Sequence, residues 1–172
     1  MTTISEASKN TAAWWVVMGV SGCGKSSLGV ALAESLDLPI IEGDDFHPPA
    51  NIEKMQHGIP LDDTDRAGWL QTLGEALRNH PDGAVLTCSA LKRAYRDTLR
   101  AAVPGLRFAF MRITPQEAQF RVEARKANHF FSSTLVDSQF ATLQDPTGEP
   151  DVVALDATEP ILTLVQRLRD GA

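Results

Sequence analysis

The 172-residue sequence has little of what marks several large classes of protein. It contains two cysteines, Cys23 and Cys88, which are too few for a disulfide scaffold or a cysteine-rich metal site and are expected to be reduced thiols. No apolar run approaches the roughly 20 residues that cross a membrane, and residues 1–13 lack the apolar centre of a secretory signal. We therefore expect a cytoplasmic protein with a flexible N-terminal tail over 1–13 and no membrane partner.

An excess of basic charge is also missing. The formal net charge is −6, from 22 acidic and 16 basic residues, whereas proteins that bind nucleic acids broadly carry a basic surface. Basic side chains do recur locally, at Lys92, Arg93, Arg96, Arg121 and Arg125. The composition predicts no nucleic-acid partner but allows a positive cleft in an acidic protein.

One motif stands out against these absences. Residues 19–26 read Gly-Val-Ser-Gly-Cys-Gly-Lys-Ser, the phosphate-binding loop pattern, between an apolar strand pattern and a helical pattern. Its glycines allow turns in which backbone N–H groups face an anion, and the positive end of the following helix adds to them. Lys25 can reach the β- and γ-phosphates, and the Ser26 hydroxyl can ligate Mg²⁺. The motif predicts that the chain binds a nucleoside triphosphate.

The predicted nucleotide contacts are the loop, the residue after it and two later arginines: Gly19, Val20, Ser21, Gly22, Cys23, Gly24, Lys25, Ser26, Ser27, Arg121 and Arg125.

Five short apolar segments alternate with helical patterns along the chain. Strands are predicted over 14–18, 39–41, 84–88, 107–113 and 152–156. Helices are predicted over 25–36, 48–56, 65–79, 91–103, from 115, over 135–143 and over 159–169. Thr64 or Asp63 is expected to cap the third helix.

This alternation predicts an α/β fold in one domain over 14–172. Its parallel sheet would carry helices on both faces, with the site at the carboxyl ends of the strands. Segments 48–79 and 126–148 are predicted to be attached elements that close over the substrates.

An acidic loop after the second strand suggests where a second substrate approaches. Asp44 or Asp45 can accept the proton of an attacking hydroxyl, or hold Mg²⁺ through water. Alternatively, these residues cap the helix that follows Pro48. His47 can bind a polyol or a carboxylate, or it can be a structural hydrogen-bond partner.

Two groups of cations are candidates for anion binding. Arg66, Lys92, Arg93 and Arg96 can bind an anionic acceptor, because a guanidinium matches the two oxygens of a carboxylate. Arg121 and Arg125 lie four residues apart and can close over the triphosphate, where they would neutralise charge in the transition state. The alternative for each is a solvated surface charge.

Several phosphate-loop classes lack support. Asp65-Arg66-Ala67-Gly68 fits Asp-x-x-Gly but follows no apolar strand, and no Asn-Lys-x-Asp motif for guanine occurs. The third predicted strand ends in Cys88-Ser89 where a Walker-B strand would end in Asp. These absences favour a small-molecule kinase over a motor or a switch.

The chain after the tail resembles the gluconate kinases (gluconokinases) of the shikimate-kinase-like group of phosphate-loop kinases. The resemblance covers the phosphate loop, the acidic loop, a middle block, a Ser-Ala-Leu-Lys block and a later arginine-containing block. Its matching positions are 19–26, Gly43-Asp44, His47, Asn51, Lys54-Met55, Gly58, Pro60-Leu61, Asp63, Asp65-Arg66, Trp69-Leu70, 88–92, Tyr95-Arg96-Asp97, Leu99-Arg100, Arg121, Arg125, His129-Phe130 and Ser138-Gln139-Phe140.

The resemblance implies ATP-dependent phosphorylation of the 6-hydroxyl of D-gluconate with Mg²⁺. It also implies a five-stranded parallel sheet of order 2-3-1-4-5, a mobile lid and a homodimer. Lys25, Asp44 and Arg125 would be catalytic, Ser26 and Asp44 would hold Mg²⁺, and the substrate would be bound by the following set: Asp44, His47, Arg66, Lys92 and Arg96.

The resemblance is imperfect at the lid. Ala127-Asn128 stand where the family usually has a single Gly before His-Phe, and Phe131-Ser132 replace the commoner Met-Pro. Three rivals stay open at this point. One is a related kinase for shikimate or another hydroxy acid, another is a regulatory nucleotide-binding protein without catalysis, and the third is a nucleic-acid-binding ATPase.

Overall fold

The computed structural model describes residues 12–125 and 133–171. The strands are β1 (Ala13–Met18), β2 (Ile40–Glu42), β3 (Gly83–Thr87), β4 (Arg107–Arg112) and β5 (Val152–Asp156). The helices are α1 (Lys25–Leu36), α2 (Pro49–Gln56), α3 (Asp63–Arg78), α4 (Arg93–Ala102), α5 (Pro115–Ala124), α6 (Ser133–Thr142) and α7 (Ile161–Asp170), with a 3-10 turn at Gly43–Phe46. Within these ranges, every helix is too short or too polar to cross a bilayer.

The five strands form one parallel sheet in the order β2-β3-β1-β4-β5, which confirms the predicted fold. All five residues of β3 are buried, as are the last four of β1. A strand that is covered on both faces has no polar side to present, and this explains why these segments are apolar throughout.

The strand order also determines where the helices lie. The chain moves from β1 to β2 in one direction along the sheet, and then back through β3, β4 and β5 in the other. Because parallel crossovers are right-handed, α1 must cover one face while α3 and α4 cover the opposite face. The packing agrees, since α1 contacts α7 and α3 contacts α4. Since the chain leaves β1 and β3 towards opposite faces, a crevice opens between their carboxyl ends.

Several predicted boundaries differ from the observed ones by one or two residues, and two of these differences have clear local reasons. Helix α3 begins two residues early because Asp62, rather than Asp63 or Thr64, is its N-cap. The Asp62 side chain accepts from the Asp65 N–H at 2.8 Å, and the Asp65 carboxylate accepts from the Asp62 N–H at 3.0 Å. Helix α4 begins late, at Arg93, because the preceding loop turns at Ala90 with φ 48°.

Candidate active site

The phosphate loop joins β1 to α1 at the carboxyl edge of the sheet. Gly22 has φ 84°, and a Cβ there would lie 2.8 Å from the Ala118 carbonyl of α5, so only glycine fits. Gly24 caps α1 without a side-chain hydrogen bond, which leaves the first N–H groups of the helix for an anion. Lys25 Nζ donates to the carbonyls of Gly19 at 3.1 Å and Val20 at 3.2 Å, so its ammonium lies beside the loop.

A carboxylate that the sequence analysis missed lies beside the loop. Glu42 Oε2 accepts from the Ser26 hydroxyl at 3.1 Å and from the Thr87 hydroxyl at 2.6 Å. The third strand has no acidic residue at its end, and the end of β2 supplies one instead. The signal was present, because Glu42 is the one charged residue in an otherwise apolar strand.

The acidic loop is held against β3 by close backbone packing. A Cβ on Gly43 would lie 2.2 Å from the Thr87 carbonyl, and the Gly43 N–H donates to the Thr87 hydroxyl at 3.3 Å. Trp69 of α3 donates from Nε1 to the Gly43 carbonyl at 2.8 Å. Asp44 follows in the 3-10 turn and lines the cleft. Helix α2 has no side-chain cap, so the alternative role of Asp44 and Asp45 as its N-cap was wrong.

His47 is buried between Trp69 and Asn51. Its ring stacks on the Trp69 ring with centroids 4.1 Å apart. The Asn51 Nδ2 group donates to the Asp65 carbonyl at 3.0 Å and lies 3.4 Å from His47 Nδ1, so Nδ1 accepts in the neutral ring. In that tautomer Nε2 carries the proton, and Nε2 lies 3.5 Å from Asp44 Oδ1. His47 is both a structural partner and a cleft residue that faces Asp44.

Arg66 is a buried cation at the wall of the cleft, 8% exposed. Within the described residues, it pairs with no carboxylate, and its hydrogen-bond partner is the Tyr95 hydroxyl, 3.2 Å from Nη1. Burying a guanidinium without an anion is costly, and a cleft-facing site for an anionic ligand explains it.

Tyr95 connects Arg66 to an ion pair outside the cleft. Its hydroxyl donates to Asp63 Oδ1, which also accepts from Lys92 Nζ at 3.0 Å. The hydrogen bond from Tyr95, followed by that from Lys92, holds the pKa of Asp63 below its ordinary value. Arginine can only donate. Because the ionised Asp63 carboxylate accepts the hydrogen bond from the Tyr95 hydroxyl, the lone pairs of the tyrosine oxygen are left for Arg66. Tyr95 was matched to the family but had no predicted role.

Three of the predicted acceptor cations lie elsewhere. Lys92 pairs with Asp63 and does not line the cleft, and Arg93 is exposed beside Asp97. Arg96 is 1% exposed, pairs with Glu149 at 2.7 Å and donates to backbone carbonyls of the loop after β3. The prediction that Arg96 binds substrate was therefore wrong, because its donors are committed to holding that loop.

The two later arginines lie at different places. Arg121 is behind the phosphate loop, where it donates to the Cys23 carbonyl at 3.3 Å and to the Ala157 carbonyl, after β5, at 3.1 Å. Arg125 is exposed and lines the cleft. The residues at which the predicted lid departs from the family pattern, Ala127-Asn128 and Phe131-Ser132, lie outside the described residues.

Helix α6 forms the remaining wall. Leu135 packs with Met55 and Leu61 in a small apolar cluster separate from the main core. One turn later, Gln139 Oε1 accepts from the Ser21 N–H of the phosphate loop at 2.6 Å. Helix α6 thus contacts both the substrate-side segment and the phosphate loop.

Together these elements form one cleft between the phosphate loop and α2, α3 and α6. Among the described residues that line it, the charged side chains are Lys25, Arg66 and Arg125 and the carboxylate of Asp44. Although the chain is acidic overall, the cleft is suited to anions. Both cysteines are free and buried, and burial raises the pKa of Cys88 to about 12, so this thiol is not a nucleophile.

The chain is similar to known gluconokinases over most of its length. It is 44% identical to a probable gluconokinase of Schizosaccharomyces pombe, over 82% of this chain and 78% of that protein. It is 41% identical to the thermoresistant gluconokinase of Escherichia coli, over 86% of each. The crystal structure of a gluconokinase from Sinorhizobium meliloti superposes with a TM-score of 0.84 at 47% identity, covering 92% and 90% of the two chains. No protein-family model matches the sequence.

Proposed function

The chain belongs to the gluconokinase family, and we propose that it transfers the γ-phosphoryl group of ATP to the 6-hydroxyl of D-gluconate. The observation that carries this proposal is a buried arginine, Arg66, facing the same cleft as a phosphate loop and lacking any carboxylate partner among the described residues. A phosphate loop alone serves many enzymes, whereas this pairing suits an acceptor that is itself an anion.

On the nucleotide side of the cleft, backbone N–H groups and a lysine ammonium would bind the triphosphate. Residues 19–27 supply N–H groups and the positive end of α1, and Lys25 supplies a charge for the β- and γ-phosphates. Arg121 contacts the loop from behind, and Arg125, which lines the cleft, would approach the phosphates from that side.

The residues near Ser26 fit a magnesium ion. Mg²⁺ prefers oxygen ligands, keeps several waters and takes only one or two protein groups. Ser26 Oγ and Glu42 Oε2, 3.1 Å apart, supply a hydroxyl and a carboxylate, and Asp44 is a second carboxylate that can act through water. When bound, the ion would neutralise phosphate charge.

The acceptor side would bind gluconate in an extended orientation. Arg66 would hold the carboxylate at one end, oriented by Tyr95 and Asp63. The primary hydroxyl at the other end would then reach Asp44, which His47 Nε2 faces at 3.5 Å. Because this hydroxyl is the far end of the substrate, two separated anchors determine which hydroxyl reacts.

The transfer itself is an in-line displacement. The 6-oxygen forms a bond to the γ-phosphorus while the bond from that phosphorus to the β,γ-bridging oxygen breaks. The hydroxyl proton goes to Asp44, and ADP leaves with the electron pair of the broken bond. Closing the cleft around these groups would exclude water, which otherwise competes as the acceptor. Cytoplasmic location and a homodimer stay predictions from the sequence and the family resemblance.

The experiment is an acceptor series with purified protein and Mg²⁺-ATP, following ADP release. D-gluconate is compared with D-glucitol, which carries primary hydroxyls but no carboxylate, with shikimate and with no acceptor. We expect turnover that depends on D-gluconate and is lost for D-glucitol. Equal turnover with D-glucitol would refute the role of Arg66, and a preference for shikimate would reassign the substrate. Nucleotide binding without any acceptor-dependent turnover, in folded protein, would favour a regulatory function.

A further inference from the structure

Gln139 connects α6 to the phosphate loop and has no part in the chemistry described above. Its Oε1 accepts from the Ser21 N–H at 2.6 Å, across 118 residues of sequence. Its side chain also lines the cleft that contains Lys25 and Asp44. Gln139 therefore contacts the phosphate loop and shares its cleft with Lys25 and Asp44, the two groups between which a γ-phosphoryl group would be transferred.

The contact with Ser21 also determines what Gln139 can offer to a ligand. A backbone N–H can only donate, so the carboxamide must turn its oxygen towards Ser21 and its NH₂ group away from it. In residues 12–125 and 133–171, no group accepts a hydrogen bond from Nε2. Two N–H donors on a fixed amide are thus available to the cleft.

We propose that Gln139 is a catalytic residue whose Nε2 donates to a non-bridging oxygen of the γ-phosphoryl group. The proposal rests on the phosphoryl transfer proposed above. During transfer, negative charge spreads over the equatorial oxygens of this group, and a donor that is already oriented stabilises it without reorganisation. The Ser21 hydrogen bond provides that orientation.

A purely structural role would be to fasten the phosphate loop through Oε1. The two roles separate in the substitution Gln139→Glu. A glutamate keeps an oxygen for the Ser21 N–H and nearly the same shape, but it replaces the donor with a negative charge that faces the phosphate. If Gln139 only fastens the loop and its Nε2 side does not face the phosphate, this variant stays active. Gln139→Met removes both the Oε1 acceptor and the Nε2 donor. In that case Gln139→Met would lose activity while Gln139→Glu would keep it.

The chain offers a matched control in Gln144. Its Oε1 also accepts from a backbone N–H, that of Arg93 at 2.9 Å, and it does not line the cleft. Gln144→Glu makes the same chemical change only five positions away. Because Gln144 is exposed, we expect the kcat of Gln144→Glu to stay within about twofold of the wild-type value. Its melting temperature should equal that of the wild type.

For Gln139→Glu we expect kcat to fall about 10²-fold or more, the usual loss when one oriented transition-state donor is removed. The melting temperature should stay close to that of wild type. A kcat for Gln139→Glu within about twofold of the Gln144→Glu value would overturn the proposal.

A binding experiment separates this proposal from the identity of the acceptor. Calorimetry would compare ADP with a non-hydrolysable ATP analogue, without gluconate. Gln139→Glu should weaken the analogue about tenfold relative to ADP, because only the analogue has a γ-phosphate. Equal affinity changes for both nucleotides would contradict the contact. Failure of wild type to use D-gluconate would instead overturn the proposed function and leave this comparison intact.

Discussion

Tyr95→Phe removes one hydroxyl from the connection between Arg66 and the Asp63–Lys92 ion pair. Tyr95 is 6% exposed, and phenylalanine keeps the packing of the ring and its place 5.4 Å from the Arg66 guanidinium carbon. What is lost is the acceptor 3.2 Å from Arg66 Nη1. Arg66 would remain charged and near the cleft, but without a fixed orientation.

The size of the effect follows from the contacts that are lost. A hydrogen bond to a charged group contributes about 1.5–3 kcal/mol. Arg66 lines the cleft, where water can replace part of the lost contact, so we expect about 1.4 kcal/mol, or a tenfold rise in KM for gluconate. The KM for ATP should not change, and kcat should fall by less than about threefold, since the reacting hydroxyl lies at the other end of the substrate.

Steady-state kinetics with varied gluconate and saturating ATP tests this expectation. Lys92→Met and Arg93→Met are the paired controls, because both remove a cation at the start of α4 but only Lys92 contacts Asp63. Lys92→Met should give a smaller rise in KM than Tyr95→Phe, and Arg93→Met should give none. An unchanged KM for gluconate in folded Tyr95→Phe would refute the positioning role of Tyr95.

Three further changes test other parts of the site and the fold. Asp44→Asn should lower kcat by about 10²-fold or more with little effect on ATP binding, and an unchanged kcat would remove Asp44 from proton transfer. Arg96→Met should lower the free energy of unfolding in urea by about 3 kcal/mol or more, because Glu149 and three backbone carbonyls lose a buried partner; a loss under about 1 kcal/mol would contradict this. Burial opposes ionisation of Glu149, but the hydrogen bonds from Arg96 and Arg100 outweigh it and hold its pKa below the ordinary 4.5. Its stabilisation is therefore complete above about pH 4.5 and is lost as the pH falls through the lower folded pKa. Glu149→Gln should destabilise the protein less at about pH 3 than at neutral pH, and an equal loss at both would be the contrary result.

The local parts of this structure were predictable from the sequence. An apolar run, a glycine-rich loop and a helical stripe are adjacent in sequence, so β1, the phosphate loop and α1 follow from one pattern. The helix predicted over 25–36 and the strand over 152–156 have the observed bounds. The order of the sheet came from the family resemblance rather than from periodicity, and the structure confirms it.

The contacts that assemble the site were harder to predict because they join distant segments. Nothing near Glu42 in sequence shows that β2 brings it to Ser26, and Gln139 lies 118 residues from Ser21. The prediction that Arg96 binds substrate was wrong because its partner is also distant in sequence. Its charge suggested an anionic ligand, but Glu149, 53 residues away, already supplies one. A charge in a sequence has no visible partner until the fold brings the partner to it.

The most direct test of the proposed reaction is the identity of its product. Purified protein would be incubated with equimolar Mg²⁺-ATP and D-gluconate, and phosphorus–proton correlation NMR would locate the phosphate. We predict one phosphate ester on the C6 oxygen of gluconate for each ADP formed. An ester at another carbon, or ADP with free phosphate and unmodified gluconate, would contradict transfer between the phosphate loop and a gluconate anchored by Arg66.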